Sequence, residues 1–204
     1  LRRAYLNGDW DIYPGQFFTK WDRDQIAVPS FDIPDDWPLY GGLDYGESSP
    51  SSFGLYTTDY DGNVFRIMEY YQADRAASQH AEAIDELIDN CPFTGGRRPN
   101  IIYADPSMWV RRRMHEQHSK SATDYFVAAG LPLARANNDR VNGWRVCNDA
   151  LVHKRFFAFD GWNDAFFRTV PGLPRDGRNP EDIVTVGVDD HCADEWRYAM
   201  VHNY

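Results

Sequence analysis

Residues 39–47 read LYGGLDYGE, and this stretch, with the two segments after it, decides the fold. A short apolar run ends here at Asp44, and three nearby glycines leave room beside the chain. The next two apolar runs, at 52–58 and 63–71, flank Asp61-Gly62, a dipeptide typical of hairpin turns. The pattern therefore predicts three successive antiparallel strands.

Helices and strands alternate in the rest of the chain. Apolar residues recur with helical spacing over 75–90, and a short buried strand is predicted at 100–104, directly before Asp105. Pro106 suits the first turn of a helix running towards residue 120. Further strands are predicted at 133–135 and 155–159, and further helices at 140–151, 162–169 and 190–201. This order predicts an α/β domain with a mixed sheet.

Residues 1–38 differ in character from the remainder of the chain. They contain three Trp and seven Asp, show no sustained helical or strand period, and are interrupted by turn formers. So many aromatic side chains in an irregular segment should pack on something. We interpret the segment as a linker arm.

Composition narrows the function classes. The 204 residues carry 31 acidic and 21 basic side chains, a net charge of −10, which argues against a protein that simply coats nucleic acid. At 43% hydrophobic and 15% aromatic residues the chain is globular, and no run is long enough to span a membrane. Three scattered cysteines predict neither a disulfide framework nor a zinc site.

Carboxylates mark the candidate chemistry. Asp44 and Asp105 each end a strand-like run, so they can converge on one point. In VDDHCADEWRY, at 188–198, Asp190 and Asp194 lie four residues apart on one helix face, with His191 adjacent. Two carboxylates about 4 Å apart repel by about 4 kcal/mol at an effective dielectric of about 20, so such a cluster needs protons or divalent cations. Oxygen ligands favour Mg²⁺ or Mn²⁺ over zinc. The alternative, that these residues only cap strands and helices, stays open.

Five segments together resemble one family. They are YLNGDWDIYPGQFF at 5–18, FDIPDDWPLYGGLDYG at 31–46, IYADPSMW at 102–109, NDRVNGWRVCNDAL at 138–151 and PEDIVTVGVDDHCADEWRYAM at 180–200. In this order they resemble the C-terminal nuclease domain of the large terminase subunit of tailed bacteriophages. The last segment departs from the family, with Cys-Ala before Asp194 and Glu-Trp after it. The resemblance implies a ribonuclease H-like fold: a mixed central sheet, antiparallel hairpin strands first and parallel strands after, flanked by helices.

The same resemblance implies an activity and its residues. It is a metal-dependent endonuclease that cuts double-stranded viral DNA during genome packaging, with two Mg²⁺ or Mn²⁺ ions held by acidic residues. Asp44 and Asp105 match the first two positions, and the family's His-x-x-Asp pattern makes Asp194 the expected third catalytic residue and metal ligand. Asp190 is its rival or an additional ligand. His191 and Asp189 are expected at most as helpers.

The resemblance also implies partners. In the family an ATPase motor domain precedes the nuclease, whereas this chain has no G-x-x-x-x-G-K-[ST] loop and does not begin with Met. We therefore expect an excised C-terminal region, with residues 1–38 as the linker arm from the ATPase domain and 39–204 as the nuclease domain. Expected partners are double-stranded DNA, that motor domain, the portal and the small terminase subunit, without a membrane. The expected location is the host cell cytoplasm, outside the mature virion.

Basic side chains for DNA cluster between residues 97 and 120. Six of them stand there against two acids, a local excess of four positive charges. They are Arg97, Arg98, Arg111, Arg112, Arg113 and Lys120, and a thinner second set comprises Arg135, Arg140, Arg145, Lys154 and Arg155. Contacts from such residues to phosphates give affinity that depends on salt and not on sequence.

Three other interpretations compete. The chain is a docking or assembly module of the packaging motor with little nuclease activity, or another ribonuclease H-like nuclease such as a resolvase or transposase core. A calcium-binding structural domain is disfavoured because the sequence has no twelve-residue EF-hand loop.

Overall fold

The computed structural model describes residues 15–110 and 120–204. The strands are β1 Ala27–Val28, β2 Leu39–Asp44, β3 Ser51–Thr58, β4 Val64–Gln72, β5 Ile101–Ala104, β6 Leu133–Arg135 and β7 Phe156–Phe159. The helices are α1 Arg23–Ile26, α2 Ala77–Asp89, α3 Ala122–Ala128, α4 Arg140–Val152, α5 Asp164–Thr169 and α6 His191–Asn203, with a 3₁₀ helix at Pro106–Trp109. Within these two ranges, no helix has the length and apolarity that crossing a bilayer requires.

One seven-stranded sheet organises the fold, in the order β1-β7-β4-β3-β2-β5-β6. Strands β2, β3 and β4 pair antiparallel, and the other neighbouring pairs are parallel. The predicted mixed sheet with its hairpin strands first is thus confirmed. Because β2 and β5 run parallel with Leu43 opposite Ala104, Asp44 and Asp105 lie at the same edge. We call this edge, where β2, β5 and β6 end, the carboxylate edge.

Helices cover both faces of the sheet. On one face, α4, α5 and α6 bury an aromatic core that includes Trp144, Phe166 and Trp196. On the other, α2 and α3 pack against strand residues such as Phe53 and Ile102. Alternation along the strands supplies both cores, since successive side chains point to opposite faces. The site residues therefore stand on elements that are held from two sides.

Much of the segment predicted as a linker arm belongs to this fold. Phe17, Phe18, Trp21 and Ile26 are buried in the core beneath α6, and β1 is the edge strand beside β7. The expectation that these aromatic side chains pack on something is confirmed. The role of residues 1–38 as a link to an ATPase domain stays a prediction, and residues 1–14 lie outside the described residues.

The region after Asp105 differs from the single helix predicted there. The Asp105 side chain accepts the Ser107 N–H and starts a 3₁₀ turn, which ends at extended Val110. Residues 111–119 lie outside the described residues. Helix α3 follows and was missed because seven residues are too few to show a helical period; the Ser121-x-x-Asp124 capping pattern is the signal that marks it.

Candidate functional site

Two predicted site residues stand side by side at the carboxylate edge. Asp44 is the last residue of β2 and only 9% exposed, and Asp105 follows β5 and is partly exposed. The Asp105 N–H donates to the Leu43 carbonyl at 3.1 Å, which ties the two strand ends together. The strand-end prediction for these two residues therefore matches their placement.

The start of α6 brings three more of the predicted residues to this edge. His191 Nδ1 lies 2.8 Å from Asp44 Oδ2. Asp190 is the N-cap residue of α6, yet its side chain makes no capping hydrogen bond, and its carbonyl accepts the Asp194 N–H at 2.9 Å. Asp190 and Asp194 thus lie one turn apart beside Asp44, as the helical spacing predicts.

Electrostatics shows that the carboxylates are close. Burial raises the pKa of Asp44 to about 6, repulsion from Asp194 and Asp105 adds to it, and the His191 hydrogen bond opposes it. The pKa of Asp190 is raised by burial and by Asp194. Burial raises the pKa of the Tyr198 hydroxyl, and Asp194, Asp44 and Asp105 all raise it further, so these three acids surround one ring.

Two arginines hold Asp194. Its Oδ1 accepts from Arg197 Nε at 3.0 Å and Nη2 at 2.8 Å, and Arg140 Nη1 lies 3.1 Å from both Oδ1 and Oδ2. Arg140 also bonds Asp182 through Nε, at 3.2 Å to each oxygen. A carboxylate offers about four lone-pair sites, so at most one, on Oδ2, remains for another ligand. Sequence reasoning missed this clamp; Arg197, three residues after Asp194 on the helix, is the signal for half of it.

Asp189 faces away from the other acids. The Tyr71 hydroxyl donates to it, and Arg168 lies 3.8 Å from its carboxylate. Both partners stand towards β4 and α5. Its role as a helper stays a prediction.

The predicted DNA-binding residues are spread over the molecule. Arg97 and Arg98 precede β5 and so lie at the end of the sheet away from Asp105. Arg97 donates to five main-chain carbonyls, those of Ile33, Pro34, Asp35, Trp37 and Thr94. Arg98 pairs with Asp85 and Asp89. Lys120 is exposed directly before α3, and Arg111, Arg112 and Arg113 lie outside the described residues. DNA binding by this set stays a prediction.

A divalent cation suits the donors at the carboxylate edge. Across the described ranges, no three His, Cys, Asp or Glu side chains stand as a ready-made metal site. The donor set nevertheless fits: Asp44, Asp105 and Asp190 supply hard oxygen ligands, and the mutual repulsion that raises the pKa of Asp44 is relieved by a bound cation. Asp194 fits only through its one remaining Oδ2 site.

No protein-family model matches the sequence, and a search of curated proteins gives no match. Solved structures do resemble it. The nuclease domain of the P22 large terminase has 17% sequence identity and a TM-score of 0.72, with 92% of each chain covered. The large terminase of a thermophilic bacteriophage, solved in several crystal forms, has 22% identity and a TM-score of 0.73, and the match covers 92% of this chain but 45% of that one.

A third structure, the large terminase nuclease of the thermophilic phage G20c, has 10% identity, a TM-score of 0.62 and coverage of 94% and 100%. It has also been solved with bound cobalt and with bound magnesium. At these identities the likeness is one of fold. The chain has the ribonuclease H-like fold of phage large terminase nuclease domains, and it spans less than half of the second of these proteins, the thermophilic bacteriophage large terminase.

Proposed function

We propose that this chain is a divalent-metal-dependent endonuclease domain that cuts double-stranded viral DNA during genome packaging. One observation carries the proposal. Asp44 and Asp105 end two paired strands beside the start of α6, in a fold that solved terminase nucleases share. Magnesium and cobalt bound to the G20c nuclease support a divalent cation here.

Each residue at the edge has a chemical task in this proposal. Asp44, Asp105 and an acid of α6 would hold two Mg²⁺ or Mn²⁺ ions. Such ions, when bound, supply electrophilic activation of a phosphate and a water of lowered pKa. His191, at 2.8 Å from Asp44 Oδ2, fixes the orientation of that carboxylate. Arg197 fixes Asp194 in the same way from the other side of the site.

The acid of α6 that serves as third ligand is, in our proposal, Asp190 and not Asp194, which the His-x-x-Asp pattern favours. Asp190 makes no side-chain capping bond, whereas both oxygens of Asp194 are engaged by arginines. Asp194 then acts as a positioning residue that holds Arg140 and Arg197 beside the ions. A second, monodentate contact through its Oδ2 remains compatible with the geometry.

A cleavage assay tests the proposal. Wild-type protein should cut supercoiled and linear plasmid DNA with Mg²⁺ or Mn²⁺ and not with EDTA, and Asp44→Asn and Asp105→Asn should abolish cutting while circular dichroism stays unchanged. Asp85→Asn, a partly exposed acid paired with Arg98, is the matched control and should cut normally. Calorimetric titration with Mn²⁺ adds the ligand assignment: affinity should fall more in Asp190→Asn than in Asp194→Asn. Full cleavage by either Asp44→Asn or Asp105→Asn would contradict the proposal.

One observation favours a second function, a docking module with little nuclease activity. The arginines that occupy Asp194 leave the described acids without a ready-made metal site. In the same assay this alternative predicts DNA binding with no metal-dependent cutting by wild-type protein.

The packaging context extends the proposal to partners. The chain matches less than half of the thermophilic bacteriophage large terminase, which has also been solved in complex with ADP. We propose that an ATPase motor domain belongs to the same full-length protein, and that the portal and the small terminase subunit join it in the host cytoplasm.

A further inference from the structure

Two basic side chains at the carboxylate edge are not engaged by acids. The guanidinium of Arg135 lies 5.3 Å from the centroid of the Trp109 ring, and the ammonium of Lys120 lies 5.3 Å from that of Tyr125. Both basic side chains are exposed, and neither forms an ion pair with a carboxylate of the described residues. Contacts at this distance are within cation–π range and restrict a long side chain without neutralising its charge.

Most other described arginines are already committed. Carboxylates bind Arg23, Arg98, Arg140, Arg145 and Arg168 within 4.0 Å. Main-chain carbonyls bind Arg97 and Arg155. Positive charge that is free for a polyanion is therefore scarce on the described surface, and two such charges occur at one edge.

The topology places both side chains beside the proposed catalytic acids. Arg135 is the last residue of β6 and pairs with Ala104, the residue before Asp105. Trp109, on which Arg135 rests, ends the 3₁₀ helix that Asp105 starts. Lys120 precedes α3, which packs on that 3₁₀ helix and runs back to the beginning of β6, so the start of α3 faces the carboxylate edge.

From this arrangement we propose that Arg135 and Lys120 form a phosphate-contact surface for duplex DNA, which approaches the proposed active site from the β6 side. The inference rests on the proposed nuclease function and adds the side of entry and the contacting residues. The aromatic rings hold each cation by its face or stem and leave N–H donors directed to phosphate oxygens. The contacts are to the backbone, so they carry no sequence preference. They replace Arg97 and Arg98, whose donors serve the protein itself at the far end of the sheet.

Duplex binding in EDTA, followed by fluorescence anisotropy over a series of salt concentrations, tests the surface without any dependence on cleavage. The variants are Arg135→Glu, Lys120→Glu and the double change. Lys154→Glu is the matched control, because Lys154 is exposed, makes no ion pair with a described acid and lies before β7 at the opposite end of the sheet. Thermal unfolding confirms that each variant is folded.

The double variant should bind at least about tenfold more weakly than wild type, and the slope of log affinity against log salt should fall by about 2, since each phosphate contact contributes about 0.9. The control should change affinity by less than about twofold, and two unrelated duplex sequences should give the same result. Unchanged affinity in the double variant, an equal loss in the control, or no binding by wild type at low salt would overturn the surface. Failure of the nuclease proposal has a different signature, namely normal duplex binding without metal-dependent cutting.

Discussion

Asp194 and Glu195 are neighbours on α6, and arginine binds both carboxylates, but their surroundings differ. Glu195 is fully buried and accepts from the Tyr56 hydroxyl and from Arg66 Nη2, each at 2.7 Å. Asp194 lies at the carboxylate edge, with 13% of its side chain exposed, between Arg140 and Arg197. The comparison separates an ion pair that holds the fold together from one that can change partners.

The Glu195 cluster is closed. Arg66 is fully buried and also bonds the Tyr56 hydroxyl, Asn163 and Glu69, which in turn accepts N–H groups from the start of α5. Glycines make the room: a Cβ on Gly42 or Gly54 would come within 2.7 Å or 2.5 Å of Glu195 Oε1. The cluster thus joins β3, β4, α5 and α6, and it fixes α6 on the sheet.

The Asp194 cluster is open on one side. Arg140 is 26% exposed, and Arg140 Nη2 and Arg197 Nη1 are buried nitrogens with no hydrogen-bond partner among the described residues. Gly143 leaves space for Arg197, because a Cβ there would collide with Arg197 Cγ. Unused donors beside clustered acids suit a site whose contacts rearrange when a cation or a phosphate enters.

Arg66→Met should have the largest effect, and it tests the closed cluster. Removing the guanidinium leaves Glu195 fully buried without its cation, which costs about 3–5 kcal/mol in comparable buried pairs. Urea unfolding of the metal-free protein measures the loss. Arg98→Met is the matched control, because Arg98 pairs with Asp85 and Asp89 at the surface and should change stability by less than about 1 kcal/mol. Equal losses in the two variants would remove the distinction between closed and surface pairs.

The sequence predicted the parts of this comparison unequally. Strands β2 to β5, helix α6 and the placement of Asp44 and Asp105 followed from apolar runs and turn dipeptides, because those signals are local. The Glu195 cluster was not predicted, although it lies within the same elements. Its members are 129 or more residues apart for the Arg66–Glu195 and Tyr56–Glu195 pairs, and no local period reports such a contact.

Some signals were present but ambiguous. Arg66 stands among apolar residues in β4, and a charged residue there indicates either an exposed strand face or a buried partner. Sequence analysis assigns Arg140 to a set of DNA contacts, whereas it bonds Asp182 and Asp194. Charge alone could not separate the two interpretations, since arginine suits phosphate and carboxylate equally well.

A pH profile gives an intermediate effect and separates the two clusters. Burial raises the pKa of Glu195 to about 7 from its ordinary 4.5, so the folded state binds a proton more tightly than the unfolded chain. The free energy of unfolding should therefore fall as the pH rises between 4.5 and about 7, and Glu195→Gln should show a flatter profile over that window. Urea unfolding across this pH range, in EDTA, measures both slopes.

Added Mn²⁺ supplies the control for that profile. Asp44, at the open edge, also has a raised pKa, so a cation there should change the profile of wild type and of Glu195→Gln by the same amount. A profile for Glu195→Gln as steep as that of wild type would show that Glu195 stays ionised throughout, held by Arg66.

The smallest expected effect concerns the open cluster, and it runs against the usual loss on mutation. Arg140 occupies Asp194 and also lies close enough to lower the pKa of Asp190, so its charge opposes a cation at both acids. Arg140→Gln should therefore raise Mn²⁺ affinity severalfold, up to about tenfold, because removing a nearby like charge favours the bound cation. Calorimetric titration measures it, and Arg145→Gln, on the same helix and paired at the surface with Glu181, should leave affinity unchanged. Weaker Mn²⁺ binding in Arg140→Gln would mean that Arg140 positions the acids for the cation, and that the open cluster is as fixed as the closed one.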